Sequence, residues 1–249
     1  MKTIGITGGV GAGKSTVLAY LEEKYNAFVI QADEVVHIVM APGQECYQPV
    51  INLFGNDVIK NDKTIDRKRV SDVVFEQPDF LSRLNGIIHP AVKRYILKSL
   101  EKQKEEGRKL CVVEAALFLE EHYQEFCDEV WYIHTDEEIR IQRLMKNRGY
   151  TREKSLGIIG NQAREDYFRA HTDFVVENNG NVEKTWKQID EGHTNGYTHF
   201  YMQKADGGHI QVFDHGRIVE NGRYGRVIYA LITNLETVRE NYGNSECNN

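Results

Sequence analysis

Two hydrophobic patterns alternate along the chain as far as about residue 180. Continuous apolar runs predict buried strands at residues 4–7, 27–30, 110–114, 129–133 and 173–176. Helical periodicity separates them, at residues 17–21, 79–106 and 136–147 and in a later helical run that contains Gln162 and Arg164. Residues 34–75 predict short helices, broken at Pro42-Gly43 and at the polar loop 55–64. Pro90 is expected to kink or restart the long helix. Strands that alternate with helices predict an α/β fold, a parallel sheet flanked by helices.

The pattern changes beyond about Gly192. Short β-type runs at 197–203, 209–213 and 226–232 are separated by turn signals at Asp206-Gly207-Gly208, His215-Gly216 and Asn221-Gly222. We therefore expect two domains, an α/β domain over residues 1–192 and a short β-rich appendage over 193–249.

Composition and charge narrow the class of protein. The 249 residues are 41% hydrophobic and 27% charged, as is ordinary for a globular protein, and the net charge of −6 gives no general footprint for nucleic acid. Cys46, Cys111, Cys127 and Cys247 form no CxxC pair, so neither a zinc site nor a disulfide framework is expected. We expect a cytoplasmic protein with no signal peptide, membrane span or nucleic-acid partner.

A glycine-rich segment follows the first predicted strand. Its spacing, Gly8, four residues and then Gly13-Lys14-Ser15, is typical of a phosphate-binding loop. Glycines allow consecutive N–H groups to point at phosphate, and the helix N-terminus that follows also favours anions. The predicted ATP-binding residues here are Gly9, Val10, Gly11, Ala12, Gly13, Lys14, Ser15 and Thr16. Lys14 would reach the β- and γ-phosphates and the Ser15 hydroxyl would ligate Mg²⁺; the alternative is a turn that binds nothing.

Two acids end predicted strands on the sheet edge where nucleotides bind. Asp33 is placed to accept a proton from an acceptor hydroxyl, or else to cap a helix or join a magnesium shell. Glu114 is placed to hold magnesium directly or through water, or else is a solvated glutamate.

Arginines cluster in a segment with the composition of a mobile lid. They are Arg140, Arg143, Arg148, Arg152 and Arg164. One or two are expected to contact phosphate and the others to be solvated. No Asn-Lys-x-Asp guanine signature is present, and the chain is small for a motor ATPase. The sequence thus favours a small-molecule kinase with a P-loop, a helical lid and an acceptor-binding region.

Residues 1–190 resemble the dephospho-coenzyme A kinases. The resemblance is collinear and is carried by 6–16, Ala32-Asp33-Glu34, Pro42-Gly43, Phe54-Gly55, Ile65-Asp66-Arg67, Val74-Phe75, His89-Pro90, 114–120, Gln162 and 173–180 with its Asn178-Asn179-Gly180 turn. It departs from the family at Gln31 and at residues 114–118, where the family usually has Asp-x-Pro-Leu-Leu. It also departs at Asn147, where the family usually has a lid arginine; Arg148 follows one position later.

The resemblance implies ATP-dependent phosphorylation of the ribose 3′-hydroxyl of dephospho-coenzyme A, with ATP and Mg²⁺. It implies Asp33 and Lys14 as catalytic residues, Arg143 and Asn179 near ATP, and Arg67 and His89 on the acceptor side together with Asp33. The residues after about 195 resemble the last three strands of a PAS sensory domain instead.

Two alternatives remain open from the sequence. One is a nucleoside or nucleoside-monophosphate kinase, which shares the loop, sheet and lid. The other is a nucleotide-responsive regulatory module whose tail contacts a partner. A homo-oligomer is also left open.

Overall fold

Five parallel strands form the sheet of the first of two compact units, Met1–Asn179. The computed structural model describes residues 1–203, 209–221 and 225–232. The strands lie in the order β2-β3-β1-β4-β5. Their bounds are β1 Lys2–Thr7, β2 Phe28–Gln31, β3 Leu110–Glu114, β4 Glu129–His134 and β5 Phe174–Glu177. The predicted parallel sheet is confirmed.

The register of the strands sets what lies at the carboxyl edge of the sheet. Glu114, the last residue of β3, is in register with Ile6 of β1 on one side and with Gln31 of β2 on the other. The segments that follow these three residues therefore leave the sheet side by side.

Eight helices belong to the described part of this unit, apart from short 3-10 turns. They are α1 Lys14–Tyr25, α2 Ala32–Val39, α3 Tyr47–Phe54, α4 Arg67–Glu76, α5 Pro78–Glu105, α6 Glu137–Arg148, α7 Arg152–Gly160 and α8 Glu165–Ala170. Asp66 caps α4, since its carboxylate accepts from the N–H groups of Lys68 and Arg69. Thr151 caps α7 in the same way.

The predicted restart of the long helix at Pro90 is wrong, and a kink there stays a prediction. α5 is helical from residue 78 to residue 105, with Pro90 inside it. A proline in a helix costs about 3 kcal/mol, through the missing N–H and a clash with the preceding turn. Ile88, Val92 and Ile96 are buried on the face of α5 that packs into the main core. Their burial offsets that cost and keeps the helix continuous.

The main hydrophobic core lies between one face of the sheet and α2 to α5. It includes Val35, Val50, Ile96, Val113 and Phe118 among many others. Phe118 is fully buried and packs against the backbone of β1, because a Cβ built on Gly5 would lie 2.1 Å from its Cζ atom.

Replacing Gly5 by alanine is expected to lower the free energy of unfolding by about 1–3 kcal/mol, because the added methyl group overpacks the core against Phe118. Urea unfolding measures the change. Gly157→Ala in α7 is the matched control, since its Cβ would meet nothing within 4 Å and alanine favours a helix. A Gly5→Ala protein as stable as the original would show that Phe118 does not hold this position.

The second unit begins at Gly180. It contains α9 Val182–Thr194 and an antiparallel sheet of three described strands in the order β6-β7-β8, with bounds Asn195–Gln203, His209–Asn221 and Gly225–Ile232. β7 continues through residues 215 and 216, so the turn predicted there is wrong. The turn predicted at 206–208, Gly222 and Cys247 lie outside the described residues. The domain boundary after residue 192 and the PAS resemblance stay predictions.

Candidate active site

The glycine-rich loop joins β1 to α1 and has the backbone that the motif predicts. Gly11 and Gly13 have φ angles of 79° and 90°, in the left-handed region, and Gly13 is the N-cap of α1. A Cβ on Gly13 would lie 2.3 Å from Nδ2 of Asn178. Both the positive φ angle and the lack of room for a Cβ atom therefore require glycine at position 13. Lys14 therefore opens α1, with Ser15 and Thr16 exposed in its first turn.

Lys14 and Glu114 meet where β1 and β3 end. The Lys14 ammonium donates to the carbonyl oxygen of Gly8 at 2.7 Å and lies 3.5 Å from Oε1 of Glu114. Only 9% of the Glu114 side chain is exposed. Burial raises the pKa of this carboxyl; Lys14 lowers it, Asp33 raises it further, and the net shift is upward.

Asp33 lies on the other side of Glu114. α2 begins at Ala32, directly after the last residue of β2, so Asp33 is exposed in the first helical turn. Its charge acts on Glu114 and also on Tyr123, whose pKa is raised to about 12 by burial, then by Glu121 and Asp33. Lys14 of the loop and the two acids predicted at strand ends, Asp33 and Glu114, are thus brought to one edge of the sheet.

Two arginines of α6 lie on the carbonyl side of the loop. Nε of Arg140 donates to the oxygen of Val10 at 2.9 Å. Nη1 of Arg143 donates to the oxygen of Ala12 at 3.2 Å, and its Nη2 donates to that of Asn178 at 2.8 Å. Burial lowers the pKa of both guanidinium groups. In this structure Arg143 holds the loop backbone, and its contact with ATP stays a prediction.

The other predicted lid arginines lie further out. Arg152 forms a two-pronged ion pair with Glu138 of α6, at 2.7 and 2.8 Å. Arg164 is exposed and lies 3.6 Å from Asp166. Arg148 is exposed at the end of α6.

The two asparagines after β5 have different partners. Nδ2 of Asn178 donates to the oxygen of Ala12 at 2.8 Å, so this residue supports the loop. Asn179 and Asp136 form a pair, in which the Asp136 N–H donates to Oδ1 of Asn179 at 2.8 Å and Nδ2 of Asn179 donates to Oδ1 of Asp136 at 3.0 Å. A contact of Asn179 with adenine stays a prediction.

The two residues predicted on the acceptor side lie in the helices α4 and α5. Arg67 opens α4, is exposed and contacts the ring of His37 on α2. Nδ1 of His89 lies 2.7 Å from Oε1 of Glu121, and both side chains are about one third exposed or less. Neither contact tests the acceptor-side prediction.

Gln162 is a residue whose place the sequence did not predict. α7 ends at Gly160, so Gln162 lies in the connection to α8 and not in a helix. Its Oε1 accepts from the N–H of Val10 at 3.0 Å and from Nη2 of Arg140 at 2.6 Å. The only sequence signal for Gln162 was the family resemblance, in which this residue matches a glutamine of the dephospho-coenzyme A kinases.

A cavity of about 650 Å³ lies beside these contacts. Its lining includes Tyr132, His134, Arg140, Gln162, Glu165 and Arg169. Three of the lining side chains, His134, Glu165 and Arg169, form a ring of polar contacts with Glu177, which we call the His134 ring. Arg169 donates to Glu165 at 2.6 Å and to Glu177 at 2.8 Å, and His134 lies 3.2 and 2.5 Å from the same two carboxylates.

The His134 ring predicts a loss of stability in acid. Hydrogen bonds from Arg169 chiefly lower the pKa of Glu165, and those from Arg169 and His134 outweigh burial and lower that of Glu177. Both pKa values are lower in the folded state than the ordinary value of a glutamate, so the stabilisation is fully present well above that ordinary value and is lost as the pH falls through the lowered pKa values. Arg169→Gln is expected to reduce the free energy of unfolding at pH 6 and to reduce it less at pH 3, in urea titrations.

Lys68→Gln is the matched control for this prediction. It breaks an exposed pair with Asp72 at 3.9 Å, which should contribute almost nothing at either pH. The prediction would be contradicted if Arg169→Gln lowered the free energy of unfolding by the same amount at pH 3 as at pH 6.

The residues at the sheet edge fit a magnesium ion that is held mainly by nucleotide phosphates. Magnesium takes oxygen ligands and usually binds one or two protein groups besides phosphate and water. The Ser15 hydroxyl and the Glu114 carboxylate supply such oxygens. Among the described residues no three His, Cys, Asp or Glu side chains gather to hold a metal ion by themselves. A loop of this kind on a parallel sheet, with one carboxylate at the end of the adjacent strand β3 and another at the start of the helix that follows β2, is typical of the P-loop kinases.

Comparison with known proteins narrows this class. The sequence model of the CoaE family, described as dephospho-CoA kinase, matches residues 2–184. The chain belongs to the dephospho-CoA kinase family.

Individual relatives agree with this assignment. A dephospho-CoA kinase from Carboxydothermus hydrogenoformans is 34% identical over 186 residues, which are 75% of this chain and 90% of the relative. One from Geobacillus kaustophilus is 34% identical over 75% of this chain and 92% of its own length. Among solved structures, the protein TT1252 from Thermus thermophilus has a TM-score of 0.65 at 26% identity and covers 76% of this chain and 94% of its own.

Within the described part of the chain, no helix is both long and apolar enough to cross a membrane.

Proposed function

We propose that this chain transfers the γ-phosphoryl group of ATP to the ribose 3′-hydroxyl of dephospho-CoA and so produces coenzyme A. The observation that carries the proposal is the meeting of Lys14, Glu114 and Asp33 at one sheet edge, in a chain of this family. The fold indicates where the phosphates of ATP bind, and membership of the family identifies dephospho-CoA as the acceptor.

The glycine-rich loop binds the ATP phosphates. N–H groups of the loop and of the first turn of α1 face the anion, and the Lys14 ammonium, which now donates to Gly8, turns to the β- and γ-phosphates. Ser15 and Glu114, the latter directly or through water, would hold Mg²⁺. When bound, the ion neutralises charge that develops on the phosphate oxygens.

Asp33 acts as the general base. Its carboxylate is exposed at the start of α2, where an acceptor hydroxyl can reach it. The ribose 3′-oxygen forms a bond to the γ-phosphorus while the bond from that phosphorus to the bridging oxygen of ADP breaks, and the hydroxyl proton passes to Asp33. Arg67, at the start of α4, and His89, in α5, are proposed to contact the acceptor, on the strength of the family resemblance.

The protein is a cytoplasmic enzyme that needs neither nucleic acid nor membrane. Its acidic balance supports this part of the proposal. A homo-oligomer, or a contact made by the residues after 192, is compatible with it.

An acceptor competition assay tests the proposal. ADP release is measured with the full chain, ATP and Mg²⁺, with dephospho-CoA, AMP, CMP and adenosine as separate acceptors. We expect turnover with dephospho-CoA alone, and a product phosphorylated at the ribose 3′ position by mass and phosphorus NMR spectra. Turnover with AMP or CMP would show a nucleoside-monophosphate kinase. ATP binding with no turnover on any acceptor would favour the regulatory module.

A further inference from the structure

Both backbone polar groups of Val10 are bonded to side chains that come from far along the chain. Its N–H donates to Oε1 of Gln162 at 3.0 Å, and its carbonyl oxygen accepts from Nε of Arg140 at 2.9 Å. Nη2 of Arg140 donates to the same glutamine oxygen at 2.6 Å. The three residues therefore close a small ring of hydrogen bonds, which we call the Val10 clamp.

The Val10 clamp acts on the first half of the phosphate loop. The guanidinium of Arg140 fills the space beside Gly9, where an added Cβ would lie 2.3 Å from Nη2. Residues 9–12 form a tight turn, which is closed by a hydrogen bond from the N–H of Ala12 to the carbonyl oxygen of Gly9 at 3.1 Å. The N–H groups of Val10 and Ala12 are thus committed within the protein, and the phosphates must be met by others of the loop and of the helix that follows.

Gln162 depends on its position outside the helices for this contact. Its own N–H donates to the oxygen of Ile159 at 3.1 Å in a turn that follows α7. The side chain is half-buried and reaches a residue 152 positions earlier in the chain. One acceptor oxygen that binds a neutral N–H and a charged guanidinium is well suited to hold a loop in one conformation.

We infer that Gln162 is a positioning residue for ATP binding, which fixes the first half of the phosphate loop through the N–H of Val10 and through Arg140. It does not touch the reacting atoms. This inference deepens the proposed function and rests on it only as far as the loop binds a nucleotide. Loss of the glutamine oxygen leaves the N–H of Val10 and Nη2 of Arg140 without this acceptor, so the loop samples other conformations before ATP binds and the apparent affinity falls.

Three variants of the full chain test the inference. Gln162→Leu removes the acceptor and keeps the size of the side chain. Gln162→Glu keeps an acceptor for the Val10 N–H and pairs with Arg140. Gln142→Leu is the matched control, since Gln142 lies on the exposed face of α6, the helix that carries Arg140.

Three measurements separate positioning from simple folding support. Binding of ADP by titration calorimetry needs no turnover, so it judges the inference even where the proposed phosphoryl transfer fails. Amide hydrogen exchange at Val10 reports the bond itself. The KM values for ATP and for dephospho-CoA show which substrate is affected.

For Gln162→Leu we expect the Kd of ADP and the KM of ATP to rise about 10-fold, about what the loss of one hydrogen bond to a charged group gives. The KM of dephospho-CoA should change less than about 2-fold, and exchange at Val10 should be faster. Gln162→Glu should restore most of the affinity and protection, and Gln142→Leu should equal the original protein.

A Gln162→Leu protein that melts earlier but binds ADP with unchanged affinity would overturn the inference, and so would unchanged exchange at Val10. If that variant does not fold, Gln162→Glu decides: ADP affinity and Val10 protection near those of the original support the inference, and loss of both in a folded protein overturns it.

Discussion

Asp33→Asn is expected to lower kcat by about 10²- to 10⁴-fold, the usual contribution of a general base. The amide has the size of the carboxylate but cannot accept the proton of the acceptor hydroxyl. Because Asp33 is exposed at the start of α2 and bonds no part of the phosphate loop in the contacts described above, the Kd of ATP should change less than about 3-fold. Steady-state ADP release and titration calorimetry measure the two quantities.

Glu34→Gln is the matched control for the base. Glu34 is the next residue, is also exposed, and contributes the same negative charge to the first turn of α2. The control separates the loss of the base from the loss of a charge that stabilises the helix. If Asp33→Asn turned over as fast as Glu34→Gln, another group would have to accept the proton.

Lys14→Met is expected to reduce kcat/KM by about 10²- to 10³-fold, as the loss of one preorganised charge-stabilising group does. It also leaves Glu114 buried beside Asp33 without the cation that lies 3.5 Å away. We therefore expect the free energy of unfolding to fall by about 1–3 kcal/mol at neutral pH.

The pH dependence of this loss identifies its cause. Glu114 has a raised pKa in the folded protein, and removal of Lys14 raises it further. An acid whose pKa is higher in the folded state binds more protons there, so the stability of Lys14→Met relative to the original should fall as the pH rises from 5 to 8. Urea titrations at these pH values measure the effect.

A second substitution separates the two effects of Lys14. The double variant Lys14→Met with Glu114→Gln removes the buried charge, so most of the stability should return while activity stays low. Lys24→Met, near the exposed end of the same helix, is the control. Stability that is unchanged in Lys14→Met would mean that the ion pair contributes nothing to the fold.

The strands could be predicted from the sequence because each is a short apolar run with clear ends. β3 has the bounds predicted for it, β2 and β5 begin and end one residue later than predicted, β4 ends one residue later, and β1 begins two residues earlier. The glycine-rich loop was predictable for a related reason, because its spacing fixes its backbone. Where strands end in a parallel sheet, the residues after them share an edge, so the meeting of Lys14, Glu114 and Asp33 followed from local sequence.

Contacts between distant segments could not be predicted. Gln162 and Val10 are 152 positions apart, and nothing in either segment alone indicates the other. The composition of α6 indicated phosphate contacts, but the direction in which Arg140 and Arg143 point depends on how the helix packs against the loop. At Pro90, local propensity predicted a break that the packing of α5 overrides.

The register of β3 has a consequence for changes in chain length. Glu114 pairs with Ile6 and Gln31, and side chains in a strand alternate between the two faces with a period of two. Deletion of one residue within β3 would present the opposite face to the loop and replace the carboxylate by a neighbouring apolar side chain. Insertions in the connection after α3, at the exposed turn Lys60–Lys63, alter no such pairing between strands of the sheet. Length variation in this chain is therefore tolerable at its surface turns and excluded from its central strands.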